Sequence, residues 1–235
     1  MKTILHKAAT RGAANHGWLK SFHSFSFASY YNSERMHFGA LRVLNDDFVA
    51  PGMGFGKHPH ENMEIVSIPL EGDLEHADST GRNEIIKSGD VQIMSAGSGI
   101  VHSEKNASRT NPVKFLQIWV YPKKENIAPR YEQKTFTELL PNKITTVVAP
   151  NDSNAVWINQ DAWFSLANLT AGTTINYNLH QPNNGVYAFV IEGDITISNE
   201  NLSSRDALGI WETSNVEITV QSNTRLLLIE VPMEF

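Results

Sequence analysis

Cysteine is absent from this chain of 235 residues. Disulfides and thiolate metal ligands are therefore excluded, and any bound metal has to be held by histidine, aspartate, glutamate or backbone oxygens. The chain contains nine histidines. A metal site, if there is one, should be sought among them and the nearby carboxylates.

Long apolar runs and clusters of basic residues are also lacking. No segment approaches the roughly 20 apolar residues of a membrane span, and the first residues do not form the apolar run of a signal peptide. The densest basic pair is Lys123 with Lys124, and the net charge is −6. This balance argues against nucleic acid or a membrane as a partner. We therefore expect a cytoplasmic protein.

Helical periodicity is scarce, and short β-prone runs separated by Gly, Pro, Asn and Asp turns dominate the chain. The runs lie at 41–44, 64–70, 84–86, 90–94 and 115–121. The best helical pattern is weak and predicts a turn or two near Thr135 to Leu140. Closely spaced short strands predict an all-β sandwich or barrel.

Two Glu-Gly-Asp turns, at 71–73 and 192–194, mark an internal repeat with a spacing of 121 residues. Similar β-prone residues surround both turns, which predicts a duplicated β-barrel. The polar stretch at 122–141 is the natural boundary. We therefore predict an N-terminal barrel over 1–130 and a C-terminal barrel over 131–235.

The repeat confines any histidine site to the first barrel. With a shift of 121 residues, Leu179 is the position equivalent to His58 and Gln181 the position equivalent to His60. No histidine follows His180. The second barrel is therefore predicted to be degenerate and to lack a metal site. It could serve as a structural partner, a lid or a dimerisation surface.

The candidate site rests on two triplets, His58-Pro59-His60 and His102-Ser103-Glu104. Residues two apart in a strand share one face of the sheet, so each triplet offers two ligands to the same side. Strands that face one point would bring together three imidazoles and a carboxylate. That set suits a first-row transition metal with room for a substrate or water.

The surrounding residues give these triplets a family context. Gly52, five residues, His58-x-His60, three residues and Glu64 resemble the first motif of the cupin superfamily. The second motif fits more loosely, because Ser95 replaces a proline. The segments 15–19, 23–27, 38–47, 52–60, 63–65 and 94–104 together resemble the pirin family, in its bacterial branch with quercetinase activity.

This resemblance implies an all-β bicupin, in which two tandem β-barrels carry one metal in the N-terminal barrel. It implies His58, His60, His102 and Glu104 as metal ligands. One divalent transition metal per chain is expected, Fe(II) first, with Cu, Mn, Ni, Co or Zn as alternatives that the same ligands would accept. The expected partners are O2 and a small flavonol-like aromatic. We expect a monomer or weak dimer.

The resemblance also implies cleavage of quercetin with O2, with opening of the heterocycle and loss of CO. Glu104 is the candidate catalytic base, which would take the proton of the flavonol hydroxyl. The alternative is a non-catalytic regulatory protein that senses a metal or redox state. An open apolar cavity of ligand size at the site would favour catalysis, and a mouth closed by a loop would favour sensing. A structural bicupin with an adventitious metal is a third reading.

Several neighbouring side chains have more than one interpretation. Glu64 has the strand parity to reach the metal, but the pirin pattern favours Glu104. Glu64 is then either an acceptor for an imidazole N–H or a residue that faces solvent or pairs with a lysine. His76 is expected to be solvated and His23 structural, whereas Gln117 is a candidate for the pocket. The candidate apolar walls, which could equally belong to the core, are Phe38, Met53, Phe55, Met63 and Met94.

Overall fold

β-strands make up nearly all of the regular structure in the computed structural model, which describes all 235 residues. The first twelve strands are β1 (Lys2–His6), β2 (Gly12–Asn15), β3 (Leu19–His23), β4 (Leu41–Val49), β5 (Gly54–His60), β6 (Glu64–Glu71), β7 (Leu74–Asp78), β8 (Asn83–Ile86), β9 (Asp90–Ser95), β10 (Ile100–Asn106), β11 (Val113–Val120) and β12 (Arg130–Thr135). The remaining strands are β13 (Ile144–Ala149), β14 (Val156–Trp157), β15 (Trp163–Leu169), β16 (Thr174–Asn178), β17 (Asn184–Glu192), β18 (Asp194–Ile197), β19 (Glu200–Ser203), β20 (Ala207–Trp211), β21 (Asn215–Val220) and β22 (Thr224–Pro232).

Helical structure is limited to one 3₁₀ turn, Ala8–Thr10. The helical turn predicted near Thr135 to Leu140 is wrong, because β12 runs to Thr135 and irregular chain follows it. Thr135 is held by pairing with Asp90 on β9, so sheet hydrogen bonds outweigh the weak local helical preference. None of the helical structure has the length and apolar character needed to cross a membrane.

The strands form four sheets, which make up two sandwiches. The N-terminal sandwich combines a seven-stranded sheet, in the order β12-β9-β6-β11-β4-β3-β2, with a four-stranded sheet, β5-β10-β7-β8. The C-terminal sandwich combines the sheets β1-β20-β17-β22-β15-β13-β14 and β16-β21-β18-β19. The all-β, two-part cupin prediction is confirmed, but the sheets do not close into barrels, because no strand pairs from one sheet to the other.

Two strands cross the predicted division at 130/131. β1 pairs with β20 along the edge of the C-terminal sandwich, and β12 pairs with β9 in the N-terminal sandwich. The assignment of 1–130 and 131–235 to separate domains stays a prediction. Sheet membership favours a boundary after Thr135 rather than before Tyr131.

The two seven-stranded sheets pack against each other across the largest core cluster of the protein. Alternation along β11 shows how, because Leu116 and Ile118 join this shared core while Phe115 and Gln117 point into the N-terminal sandwich. Along β22, Leu227 contributes to the same shared core. The central strands are therefore covered on both faces, which explains why they read as continuous apolar runs in the sequence.

The two Glu-Gly-Asp turns occupy equivalent places in the two sandwiches. Gly72 follows β6 and Gly193 follows β17, and both have positive φ angles, of 77° and 97°. Each turn passes the chain from a seven-stranded to a four-stranded sheet. Glycine adopts this backbone conformation without steric cost, which accounts for its recurrence in both copies.

The shared core predicts that both halves unfold together. Leu116→Ala should lower the free energy of unfolding by about 2–5 kcal/mol, because it leaves a cavity in the fully buried cluster. A urea titration followed by both far-UV circular dichroism and tryptophan fluorescence should show one transition, shifted as a whole. Leu140→Ala, at an exposed leucine, is the matched control, with a change within about 0.5 kcal/mol. Two separate transitions, only one of them shifted, would contradict this expectation.

Candidate metal centre

Antiparallel pairing of β5 with β10 brings the two triplets together. His102 lies opposite His58, and Ile100 lies opposite His60. The register shifts between His102 and Glu104, so that Glu104 faces Phe55. Such a bulge re-aims the side chains on either side of it, and bulges are frequent beside functional sites.

Three imidazole rings form a compact triangle at this point. The ring centroids of His58 and His60 are 4.9 Å apart, those of His58 and His102 are 4.4 Å apart, and those of His60 and His102 are 4.9 Å apart. One ligand atom from each ring lies within 4.8 Å of the others. The structure therefore brings together all three histidines that the sequence singled out.

Hydrogen bonds and burial leave ring nitrogens free to bind a cation. The Nδ1–H of His58 donates to the carbonyl oxygen of Gly56 over 2.7 Å, which leaves Nε2 as the free ligand atom. The Nε2 atom of His102 is buried and has no hydrogen-bond partner. Burial, helped by the neighbouring histidines, lowers the pKa of His60 to about 4 and that of His102 to about 2. Neutral imidazole is the form that binds metals.

Glu104 lies beside this triangle, fully buried and held on both carboxylate oxygens. Its Oε1 accepts from the Ser67 hydroxyl over 3.1 Å, and its Oε2 accepts from the Gln117 amide over 2.6 Å. Burial raises the pKa of Glu104 to about 7, although these two hydrogen bonds oppose the shift. A carboxylate oxygen lies within 4.8 Å of ligand atoms of both His102 and His76. Its role as a fourth ligand stays a prediction.

His76 and Asp78 support the centre from behind, which corrects the expectation that His76 is solvated. Its side chain is fully buried, and its Nε2–H donates to Asp78 over 3.0 Å. Its Nδ1 atom then faces Nδ1 of His102 at 3.5 Å. The resulting chain, Asp78 to His76 to His102, directs the lone pair of His102 Nε2 toward the triangle. Strand parity offered the missed signal, because His76 lies two residues after the buried Leu74 in β7 and so shares its inward face.

A cavity of about 440 Å³ opens onto the histidines. Its apolar and aromatic lining residues are Ala14, Trp18, Leu19, Phe27, Ala28, Phe55 and Trp119. Its polar lining residues are His16, Ser21, His23, Asn45, Asp47, His58, His60, Glu104 and Gln117. This volume, with aromatic walls and convergent polar groups, is typical of small-molecule sites.

Among the five apolar candidates for the walls, only Phe55 lines this cavity. Phe38 belongs to the shared core between the sandwiches, and Met94 packs with Met63 in a separate small cluster. Met53 is 44% exposed. The aromatic walls come instead from Trp119 on β11 and from Trp18 and Phe27, which lie in the connections before and after β3. Gln117, the polar candidate for the pocket, does line it.

Both earlier readings of Glu64 are wrong. Its side chain is buried, and its Oε2 accepts from the Ser95 hydroxyl over 2.8 Å and from the backbone N–H of Asn159 over 3.2 Å. It therefore neither faces solvent nor bonds to an imidazole. Because Asn159 belongs to the C-terminal sandwich, Glu64 joins the two halves. His23, expected to be structural, donates from Nδ1 to Asn45 Oδ1 over 2.9 Å and also lines the cavity.

The donor set fits a divalent transition metal. Three imidazoles converge, the Nε2 atom of His102 has no protein partner, and a carboxylate lies beside them. A bound cation would satisfy that buried nitrogen, whose desolvation is otherwise costly. Nitrogen and oxygen ligands of this kind are accepted by several first-row metals, so the donor set supports a divalent metal without fixing its identity.

The support from Asp78 predicts a measurable effect on metal affinity. Asp78→Asn keeps the side-chain shape but weakens the acceptor for His76, so metal affinity should fall by about 10- to 100-fold. Competition against a chromophoric chelator would measure it. Glu192→Gln, at an exposed acid of the C-terminal sandwich, is the matched control and should leave affinity unchanged. Wild-type affinity in Asp78→Asn, with an unchanged unfolding midpoint, would contradict the supporting role.

Comparisons with known proteins agree with this geometry. Residues 5–120 match the family model described as Pirin, and residues 146–231 match the model described as Quercetinase C-terminal cupin domain. The chain is 41% identical to quercetin 2,3-dioxygenase of Escherichia coli strain K12, covering 97% of this chain and 98% of that protein. It is 39% identical to a pirin-like protein of Caulobacter vibrioides, covering 93% and 95%.

A solved structure extends the likeness to three dimensions. The crystal structure of the bacterial pirin YhhW from Escherichia coli, in complex with nickel(II), superposes with a TM-score of 0.93. The two chains are 40% identical, and the match covers 98% of this chain and 99% of the other. The fold described above is therefore shared along nearly the whole length.

Proposed function

This chain belongs to the pirin family, and we propose that it is a metal-dependent dioxygenase that cleaves a flavonol-type substrate with O2. The observation that carries the proposal is the convergence of His58, His60 and His102, the first two of which line a ligand-sized cavity with aromatic walls. The name of the Escherichia coli relative and the nickel complex of its structural counterpart support the same class of reaction.

The proposed metal shell consists of His58, His60, His102 and Glu104. A divalent metal bound there would supply Lewis acidity to an aromatic hydroxyl and a redox-active centre close to O2. The expected outcome is opening of the flavonol heterocycle with both oxygen atoms incorporated and carbon monoxide released. Fe(II) is the expected metal, and the ligand set would equally accept nickel, manganese, cobalt, copper or zinc.

The protein side chains would orient the substrate and move one proton. The flat faces of Trp18, Phe27 and Trp119 offer stacking surfaces for planar rings. Glu104 is the candidate base for the metal-side hydroxyl, because it lines the cavity and because Ser67 and Gln117 fix its carboxylate.

The sensing alternative receives less support from the cavity. A sensor that responds only to metal charge would need no ligand-sized opening at the histidines. Here His58 and His60 are partly exposed, and both line the cavity of about 440 Å³. By the criterion drawn from the sequence, an open pocket favours catalysis.

Metal dependence is the first test. The purified protein should hold about one metal per chain by elemental analysis, and it should consume O2 when quercetin is added. His102→Ala should abolish both properties, because it removes the ring with the unpartnered Nε2 atom. His37→Ala, at a histidine outside the cavity, is the matched control and should retain both. Undiminished turnover in metal-free protein, or in the double variant His58→Ala/His60→Ala, would overturn the proposal.

A second test separates metal binding from proton transfer. Glu104→Gln keeps the size of the side chain and leaves all three histidines, so we expect metal to be retained at reduced affinity. Loss of the base should lower kcat/KM for quercetin by about 100-fold or more. Glu71→Gln, at a surface residue paired with Lys114, is the control. A variant with full activity would remove Glu104 from the mechanism.

A further inference from the structure

A row of polar side chains crosses the interior face of the N-terminal seven-stranded sheet at one level. Pairing places His23 opposite Asn45, Asn45 opposite Gln117, Gln117 opposite Ser67, and Ser67 opposite Gln92. All five side chains are buried. The interior face of a sandwich is normally apolar, so a row of this length requires an explanation.

Only part of the row is explained by the metal centre. Ser67 and Gln117 donate to the carboxylate of Glu104. At the other end, His23 and Asn45 bond to each other and line the cavity without contacting any of the proposed ligands. Ser21 and Asp47 pair with each other two residues further along β3 and β4 and line the same cavity.

Asp47 carries an unsatisfied carboxyl oxygen at the cavity wall. Its side chain is only 3% exposed, and its Oδ1 atom has no hydrogen-bond partner within the protein. Burial raises the pKa of Asp47 to about 7, an effect that the Ser21 hydroxyl partly opposes and the charge of Glu104 adds to. A buried carboxyl oxygen without a partner is costly, and such a group at a cavity wall marks a place where a ligand can supply the missing hydrogen bond.

The surroundings of Asp47 indicate the chemistry of that ligand. No lysine or arginine lines the cavity, so a carboxylate or phosphate would find no cation there. Burial lowers the pKa of His23, which leaves this imidazole neutral. Aromatic walls beside hydrogen-bonding groups and no cation suit a planar ring that carries hydroxyl groups.

We propose that Asp47, with Ser21 and Asn45 beside it, forms a second subsite that hydrogen-bonds a hydroxyl group of the substrate remote from the hydroxyl at the metal centre. This inference rests on the proposed function and deepens it, because it names the substrate class as a polyhydroxylated aromatic rather than any flavonol. One wall of the cavity would hold the reacting ring, and the Asp47 subsite would select the ring that carries further hydroxyls.

Two probes separate the subsites. Quercetin carries several hydroxyl groups, whereas 3-hydroxyflavone keeps only the 3-hydroxyl next to the 4-carbonyl. Binding of each to the metal-containing protein would be measured by fluorescence titration with O2 excluded, so that no turnover is needed. In Asp47→Ala, quercetin should bind about 3- to 10-fold more weakly, while 3-hydroxyflavone should bind within about twofold of wild type. Asp73→Ala, which removes a carboxyl outside the cavity, should change neither affinity.

The outcomes distinguish the subsite from the wider proposal. An equal effect on both probes, or no effect on either, would overturn the subsite while leaving the dioxygenase proposal in place. Failure of both probes to bind the wild-type protein would overturn the proposed function and this inference with it. If the unfolding midpoint shows that Asp47→Ala does not fold, Ser21→Ala is tested instead with the same two probes. We expect it to weaken quercetin binding by about 2- to 3-fold and to leave the binding of 3-hydroxyflavone unchanged.

Discussion

The packing of the two seven-stranded sheets against each other is the contact on which the rest of the molecule depends. It forms the largest apolar core, and residues from both sandwiches contribute to it, such as Leu116 from one side and Leu227 from the other. Neither sandwich could present this face to water, because it is a continuous apolar surface. The arrangement supplies the N-terminal sandwich with stabilising burial on its outer face.

This outer burial leaves the inner face of the N-terminal sandwich free for chemistry. Its interior holds only small apolar clusters beside the polar row, the histidine triangle and the cavity. The C-terminal sandwich, by contrast, fills its interior with 16 buried apolar residues. The two copies therefore differ in their interiors. The C-terminal sandwich is packed with apolar residues, whereas the N-terminal sandwich holds a cavity and polar side chains. Of the three roles that the sequence left open for the second copy, structural partner best matches this packing.

The fold class and the histidine cluster could be predicted from the sequence, because both depend on local spacing. Short β-prone runs between turn residues indicated the strands, the Glu-Gly-Asp turns indicated the duplication, and two triplets with strand parity indicated His58, His60 and His102. The residues around the histidines and the cavity could not be predicted in the same way, because their positions depend on which strands become neighbours. Trp119 and Asp47 reach the cavity through pairings across the sheet, and Glu64 is drawn away by a hydrogen bond from the other sandwich. Nothing in the local sequence shows that β1 joins the C-terminal sandwich or that β12 joins the N-terminal one.

The position of β1 at the edge of the C-terminal sandwich has a consequence for how the protein folds during its synthesis. This strand leaves the ribosome long before its partner β20, because nearly all the other strands lie between the two along the chain. The outer apolar face of the N-terminal sandwich likewise waits for strands made later. Contacts so distant along the chain form slowly, and the unfinished N-terminal part exposes surface that favours aggregation. The sandwich that holds the histidine cluster therefore reaches its full burial only when the strands of the C-terminal sandwich have been made.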